Sequence, residues 1–557
     1  MKLTGAQIVI EMLRREKVPY IFGLPGGAIL PTFDALYDSG LNFILVRHEQ
    51  GAGHMADGYA RATGKPAVCM VTSGPGALNL VTAIATAHMD SVPMICITGQ
   101  VATHLIGNDA FQEADVIGCT RPITKHSYLV KDVTQLARIM KEAFYITATG
   151  RPGPVLIDLP VDVTRAVTEF VYPEKIQIRG YEPPLMGEPE NIEKAADMIA
   201  ASKKPVLYVG GGAIASGANK ELFELAETTG IPVTTTLAGL GAFPETHSQA
   251  LRMLGMHGTV YANYAVQASD LLIAVGARFD DRVTGNLDRF APHAKIIHID
   301  IDPASISKNV KVDCPINGDV KHILKELNRL VKRLDLKEWN EQISAWKKKH
   351  PMRFETTGPG IKSQHVIQEL GLATKSNAVV TTGVGQHQMW AAQWFNFIKP
   401  RTMITSGGLG TMGYGFPAAI GAQLARPGET VFCIDGDGSF QMTMFELATA
   451  VHYKIPVKIA LLDNAYLGMV RQWQEMFYKE RYSGSELGSS NPDFVKLAES
   501  FGMLGLGASR KEEVRPTIEK ALEHDGPVLM HFKVEKQDNV FPMVPAGQAL
   551  DQVIDMA

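Results

Sequence analysis

GDGSFQMTMFELATAVHYKIPVKIALLDN, residues 436–464, decides the fold. VFCI (431–434), just ahead of it, and VKIALL (457–462), within it, are short, apolar and β-branched, and each stops at an acid: Asp435-Gly436-Asp437-Gly438 and Asp463-Asn464. Such runs read as neighbouring strands of a buried parallel sheet, with MTMFELATAVH as the helix that joins them. Ligands of such sheets collect beyond the carboxyl ends of the strands. A carboxylate, glycines and an amide at that edge therefore ask for a ligand.

The same alternation runs outward through nearly the whole chain. The first third has AVCMVT (67–72) and PMICITG (93–99); the middle has PVLYVGGG (205–212), LLIAVGARF (271–279) and AKIIHIDID (294–302). The last third adds AVVTTGVG (378–385) and PVLMHFKV (527–534). The expected class is α/β, with three doubly wound parallel-sheet domains. At roughly 150 residues per domain, the length of 557 residues allows three or four. The proline- and charge-rich stretch 169–191 reads as one linker, and 336–360, broken at Pro351 and Gly358-Pro359-Gly360, as the second. The expected units are 1–168, 190–335 and 362–540, followed by a tail, 541–557, that is either a lid or a packed terminus.

Composition narrows the partners. With 45% hydrophobic and 20% charged residues and a net charge of −4, no basic face points to nucleic acid and no charge run to a membrane surface. The five cysteines are scattered, without a CxxC pair, and suit buried thiols in a reducing compartment. The N-terminal MKLTGAQIVIEMLRREKV reads as an amphipathic helix and not as a targeting peptide, so the expected location is cytoplasmic.

A carboxylate at a strand end holds a hard cation when other oxygens complete the shell, and the Asn464 amide is a suitable neighbour to Asp437. Mg²⁺ takes six oxygens at about 2.0–2.1 Å and usually shares them with phosphate. Gly436 and Gly438 permit close approach of backbone, and a helix starting near Ser439 aims free N–H groups at an anion. Alone, either GDG or DN is equally a turn. The separation of 27 residues between Asp437 and Asn464, spanned by a helix and a strand, is more specific.

That pair resembles the signature of thiamin-diphosphate enzymes, Gly-Asp-Gly followed by Asn-Asn, with Asp463 a departure and Asn464 kept. The resemblance implies that Asp437, Asn464 and the backbone carbonyl of Tyr466 bind Mg²⁺. It also sets Gly438, Ser439, Leu467, Gly468 and Met469 around thiamin diphosphate, with Gln386, His387, Gly410 and Met412 about its rings. By itself Met412 would be ordinary core filler. In this family a glutamate from the N-terminal domain of the partner subunit hydrogen-bonds the aminopyrimidine. The matching residue is Glu49 in RHEQGAGHMADGYARATG, ahead of AVCMVT and TSGPGALN (72–79). For that role it should sit in an apolar pocket with a raised pKa; on composition alone it is a solvated acid. A homodimer, singly or paired into a tetramer, is then the smallest active unit.

VGGGA, TTTLAGLG, RFDDRVTG and HIDIDP are a weak dinucleotide signal on their own. With GMHGT they resemble the FAD domain of the biosynthetic acetohydroxyacid (acetolactate) synthases, catalytic large subunit, over essentially the whole chain. That likeness lays FAD, mainly structural in the family, along Arg151, Gly211, Thr236, Leu237, Gly239, Gly276, Arg278, Asp280, Asp300, Ile301, Asp319 and Val320. It implies decarboxylation of pyruvate and carboligation to a second pyruvate or to 2-ketobutyrate, in branched-chain amino-acid biosynthesis. Arg282 matches the clamp for the acceptor carboxylate and Trp473 the wall for its alkyl end; otherwise they are a surface ion pair and a packed aromatic. Gln112 with Phe111, Gly27 and His257 complete the implied catalytic set. Val161 stands where the family commonly has Lys, and Ala102 where plant enzymes have Pro. A small regulatory subunit is a further implied partner. The alternatives are a flavin-reducing pyruvate oxidase, another thiamin-diphosphate carboligase or decarboxylase, and a non-catalytic cofactor-binding scaffold.

Overall fold

The computed structural model describes residues 1–355 and 358–555, so the second linker and the tail each include two residues outside that range. Three six-stranded sheets, all parallel, follow one another along the chain. The strands read from sequence are all present, and their unbroken apolar runs have the cause expected: helices cover both faces, so no side can be polar.

Strand order decides where ligands can enter. Numbered within each unit, the first sheet (Tyr20–Leu24, Asn42–Leu45, Ala67–Val71, Met94–Gln100, His126–Leu129, Val155–Pro160) runs 2-1-3-4-6-5. The third sheet (Val379–Thr382, Met403–Thr405, Val431–Gly436, Lys458–Asp463, Leu504–Ala508, Val528–Lys533) has the same order. The middle sheet (Pro205–Val209, Val233–Thr235, Ala250–Met253, Leu271–Val275, Lys295–Asp300, Cys314–Asn317) runs 3-2-1-4-5-6. That last order is the one associated with dinucleotide binding, and its crevice lies between strands 1 and 4. In the outer sheets the order reverses between strands 1 and 3.

Local readings differ from the structure at three places. The first residues are not helical: Lys2–Thr4 pairs antiparallel with Val167–Glu169, and the helix Gly5–Arg15 starts behind Thr4 in a capping box with Gln7. The connection after Gly436 is not one helix but a single turn, Asp437–Gln441, a 3₁₀ turn, Met444–Glu446, and the helix Leu447–His452. Thr443 spends its hydroxyl on Gly413 O at 2.8 Å, which breaks the helical course. Four cysteines are buried, but Cys119 is exposed at the end of a short helix.

The outer units pack on each other through two helices, Glu49–Thr63 and Gly415–Ala425. Glycine permits the crossing: a Cβ on Gly58 would lie 2.2 Å from Ala418 O, and one on Gly421 1.9 Å from Met55 O. A single hydrophobic core therefore spans both units, from Phe22 and Met55 to Phe416 and Phe440. The tail and the residue before it are held by two different units. Val544 and Leu550 join the middle core, and Val540 N–H donates to Gln472 Oε1 at 2.9 Å in the third unit.

Candidate active site

The reversal in the third sheet falls between Val379–Thr382 and Val431–Gly436, and the loops leaving those strands line a cleft. Gln386, His387, Met412, Asp437, Gly438, Ser439, Asn464, Tyr466, Leu467, Gly468 and Met469 all face it. Gly410, with φ +71, stands in the same loop as Met412 but does not line the cleft. Glycine shapes the cradle. A Cβ on Gly438 would come within 2.7 Å of Leu467, and one on Gly436 within 2.8 Å of His387 Nδ1.

Asp437, 1% exposed, projects from the edge of the strand next to the one that ends at Asp463-Asn464, because Gly436 and Leu462 are in register. Its Oδ2 accepts a hydrogen bond from Asn491 Nδ2 at 2.7 Å, and the same nitrogen is 3.1 Å from Asp463 Oδ1. Burial and the neighbouring Asp463 raise the Asp437 carboxyl, with the Asn491 bond acting against them. For Asp463 burial also acts upward, but the hydrogen bond and charge of His531, at 2.8 Å, outweigh it and hold it low. The Asn464 side-chain Oδ1 accepts from Tyr466 N–H at 3.0 Å, which turns the Tyr466 loop back toward the cleft.

These donors fit a hard divalent cation: one carboxylate, one amide oxygen and one backbone carbonyl are all oxygen and leave positions for phosphate. The cradle also fits a diphosphate. Its glycines leave room for one, since a Cβ at Gly436 or Gly438 would clash, and His387 lines the same cleft with its buried Nε2 turned to Asp435 Oδ1 at 3.3 Å. The one-turn helix at Asp437–Gln441 is too short for a macrodipole argument, so attraction for an anion comes from its local N–H groups.

Glu49 opens the helix Glu49–Thr63 in the first unit and is 6% exposed. Its Oε2 accepts from Asn79 Nδ2 at 2.8 Å, and Gly76 stands against its other oxygen, where a Cβ would be 3.2 Å away. The TSGPGALN loop thus builds the pocket around this carboxyl. Gln112, at φ +58, crosses the same loop: a Cβ on Gly74 would meet Gln112 O at 2.6 Å. Gly27 follows the first strand with open space at its Cβ, while Phe111 is 89% exposed. None of Gly27, Glu49 and Gln112 lines the cleft of its own chain.

In the middle unit the expected flavin residues gather at the 1–4 crevice. A Cβ on Gly210 would lie 2.2 Å from Gly276 O, and one on Gly212 2.8 Å from Gly276 Cα, so two strand-end loops approach as closely as backbone allows. Gly211 abuts Ala238 beside Leu237, and Thr236 caps Gly239 N–H at 3.1 Å. Arg278 pairs with Asp280 at 2.8 Å, and Arg151 reaches from the first unit to Asp302 at 3.1 Å. Asp300 ends the fifth strand and accepts from Asp302 N–H at 2.9 Å, with Ile301 between them. Asp319 caps the helix starting at Val320, at the far end of the same edge. Glycines at a switch point with flanking arginines fit a dinucleotide pyrophosphate.

Of the two remaining candidates, Arg282 is exposed and Trp473 half-buried. Arg282 has a side chain 61% exposed, and its backbone carbonyl binds Met256 N–H at 2.8 Å, joining RFDDR to GMHGT. His257 beside it is buried, and burial, helped by Arg282, pushes it down to about 4, so it is neutral at pH 7. Trp473 stands on the helix Gly468–Phe477, 5.2 Å centroid to centroid from Phe477. Residues that sequence reasoning passed over are Asn491, Asn79 and Glu446. Glu446 is buried, accepts from Arg47 and His48 N–H at 3.1 and 3.2 Å, and is pushed up to about 7 by burial. Asn79 lay inside the quoted TSGPGALN; Asn491 lies in a polar loop with no periodicity to mark it.

Three family profiles match the chain, all described for thiamine pyrophosphate enzymes. The N-terminal TPP binding domain covers residues 3–119, the central domain 192–327 and the C-terminal TPP binding domain 383–532. An acetolactate synthase of Mycobacterium bovis is 52% identical across 99% of this chain and 91% of its own length. The acetolactate synthase large subunit of Corynebacterium glutamicum is 51% identical across 98% and 89%. The acetolactate synthase isozyme 3 large subunit of Escherichia coli is 48% identical across 99% and 98%.

Proposed function

The chain belongs to the acetolactate synthase large subunits, among the thiamine pyrophosphate enzymes, and on that premise we propose which of its residues perform the reaction. It is an enzyme that condenses pyruvate with a second 2-keto acid, with loss of CO₂, in branched-chain amino-acid synthesis. Its cofactors are thiamin diphosphate, Mg²⁺ and FAD. When bound, thiamin diphosphate supplies a nucleophilic carbon and an electron sink, which let a 2-keto acid lose its carboxylate.

The protein's part is binding, orientation and proton placement. Asp437, Asn464 and the Tyr466 carbonyl would hold the metal, the Gly438–Ser439 and Gly468–Met469 backbone the diphosphate, and Gln386, His387 and Gly410 would stand about the cofactor's rings. Met412, from a neighbouring loop, would pack against the cofactor's rings. Glu49 shares a proton with the pyrimidine; the Asn79 amide keeps its carboxyl pointed and the buried pocket keeps water from competing. Arg282 takes the acceptor carboxylate and Trp473 its alkyl end, with Gln112, Gly27 and His257 enclosing the space between. Arg151, Arg278 and the glycine crevice hold FAD.

One observation carries this reading: the cleft gathers the metal and diphosphate residues of the third unit, while Glu49 lies in a pocket of the first unit and not on the cleft of its own chain. On this reading a second copy brings its Glu49 to the cleft, and the active unit is a homodimer, singly or paired. Among the described residues no helix is long and apolar enough to cross a membrane. The free thiols suit the cytoplasm.

The test mixes two inactive variants, Glu49→Ala and Asp437→Ala. Mixed dimers carry one intact site and should regain acetolactate synthesis from pyruvate, dependent on added thiamin diphosphate and Mg²⁺. Lack of any recovery on subunit exchange would rule out a shared site.

A further inference from the structure

The turn Met89-Asp90-Ser91 ends the helix Val81–Met89 and touches all three units. The Asp90 carboxylate, whose side chain is 6% exposed, accepts from the backbone N–H of Gly407 at 2.9 Å and of Gly408 at 2.7 Å. It also pairs with Arg61 Nη2 at 2.9 Å. Arg61 pairs in turn with Asp57 at 2.6 Å, and Asp57 accepts the Tyr414 hydroxyl. One turn before Asp90, the Thr86 and Thr411 hydroxyls meet at 2.7 Å. The loop that carries Gly410 and Met412 is thus fastened to the first unit at its start, middle and end.

The other side of the same turn faces the middle unit. Met89 O accepts from Arg278 Nη1 at 3.2 Å, and Ser91 Oγ accepts from Arg151 Nε at 2.8 Å. Both arginines belong to the flavin crevice described above. The junction has no slack: a Cβ on Gly408 would lie 2.8 Å from Asp90 Oδ1, 3.0 Å from Met89 Cβ and 3.1 Å from Arg278 Nη2.

We propose that Asp90 is a positioning residue that couples the flavin crevice to the thiamin-side loop, so that occupancy of either site sets affinity at the other. The inference rests on the cofactor assignments of the preceding section. A pyrophosphate in the crevice competes with Met89 O and Ser91 Oγ for the two arginines, and the turn moves with them. Charge-assisted bonds from a buried carboxylate to two consecutive N–H groups are stiff, so the start of the loop follows the turn. The ties at Thr411 and Tyr414 make the loop move as one piece. Linkage requires the effect to be reciprocal and of equal size in both directions.

The experiment measures equilibrium binding to the full chain: thiamin diphosphate with Mg²⁺, in the absence and presence of saturating FAD, and FAD with and without saturating thiamin diphosphate. In the unaltered protein each cofactor should tighten the other by about fivefold or more, by the same factor both ways. Asp90→Asn, which sets an amide against the Gly407 and Gly408 N–H groups, should bring that factor close to one. A merely structural role would weaken both affinities and leave the factor unchanged. Should Asp90→Asn not fold, Thr86→Val, which cuts the tie at Thr411, replaces it and should at least halve the factor. A factor of one in the unaltered protein, or an unreduced factor in the variant that folds, overturns the proposal. Failure of the unaltered protein to bind either cofactor overturns the assignments beneath it instead.

Discussion

Asn491 holds Asp437 from across the cleft edge, its side-chain nitrogen 2.7 Å from Asp437 Oδ2. The same nitrogen reaches Asp463, so a neutral amide spaces two carboxylates that would otherwise compete for one proton. The bond also keeps Asp437 more acidic than its burial alone would allow.

Removing that donor should therefore weaken the metal site. A charge-assisted hydrogen bond is worth about 1.5–3 kcal/mol, so we expect Asn491→Leu to raise the Mg²⁺ concentration needed for half activity by about tenfold or more. Metal titration of activity, together with calorimetry of Mg²⁺ and thiamin diphosphate binding, measures it. An unchanged Mg²⁺ dependence would show that the Asn491 bond does not matter to the metal.

Glu49→Gln keeps the size of the side chain and removes the proton exchange. We expect activity to fall by about 10²–10⁴-fold, the usual worth of a placed acid–base group, while thiamin diphosphate still binds. Hydrogen–deuterium exchange at the thiazolium carbon should slow in step with turnover. Normal exchange with slow turnover would move the role of Glu49 to a later step.

Trp473 lies tilted against Phe477 on the helix that starts at the cleft, and its indole is large enough to reward one extra methyl on the acceptor. Since a methyl contact contributes about 1–3 kcal/mol, Trp473→Leu should lower the preference for 2-ketobutyrate over pyruvate by about tenfold while acetolactate is still made. A competition assay with both acids gives the ratio directly, and an unaltered ratio removes Trp473 from specificity.

Glu245 ties the middle unit to the third by accepting Phe397 N–H at 2.7 Å. Burial pushes its carboxyl up to about 7, against the smaller opposing effects of Arg252, 3.9 Å away, and of the Phe397 bond. The folded protein therefore holds a proton that the unfolded chain, with an ordinary glutamate, releases near pH 4.5. The cost is absent below that pH, grows between about 4.5 and 7, and is complete above the folded value, at about 3 kcal/mol. We expect Glu245→Gln to flatten the decline in unfolding free energy between pH 5 and pH 8, read from denaturant melts at several pH values.

Much of this protein is local. The three sheets and the strand ends near Asp437, Asn464, Gln386 and Gly276 are legible because a buried parallel strand is a short apolar run and its carboxyl end is where the run stops, whereas the stretch 336–360, read as a linker, holds the helix Lys337–Lys349, whose Trp339 and Ile343 join the middle core. The likeness to a cofactor-binding family points to Glu49, Arg282 and Trp473 as well, since each stands in a recognisable stretch. The middle sheet's 3-2-1-4-5-6 order, by contrast, is visible only once strands are paired.

Tertiary structure alone decided which loops meet. Asn491 reaches Asp437 across 54 residues, Glu446 caps the helix of Glu49 across 398, and Asp90 finds Gly408 across 318. Asn491 lies in a polar loop, Glu446 in a helical run and Asp90 at a helix end, where any of them could have been solvated surface. Two bare helix faces at Gly58 and Gly421 let the outer units close to van der Waals distance, and that contact carries Glu446 to its partners and Gly407–Tyr414 to theirs. Periodicity along a chain reports which side of an element is buried; it carries no record of what is packed against that side, because that is fixed by the sum of all the other contacts.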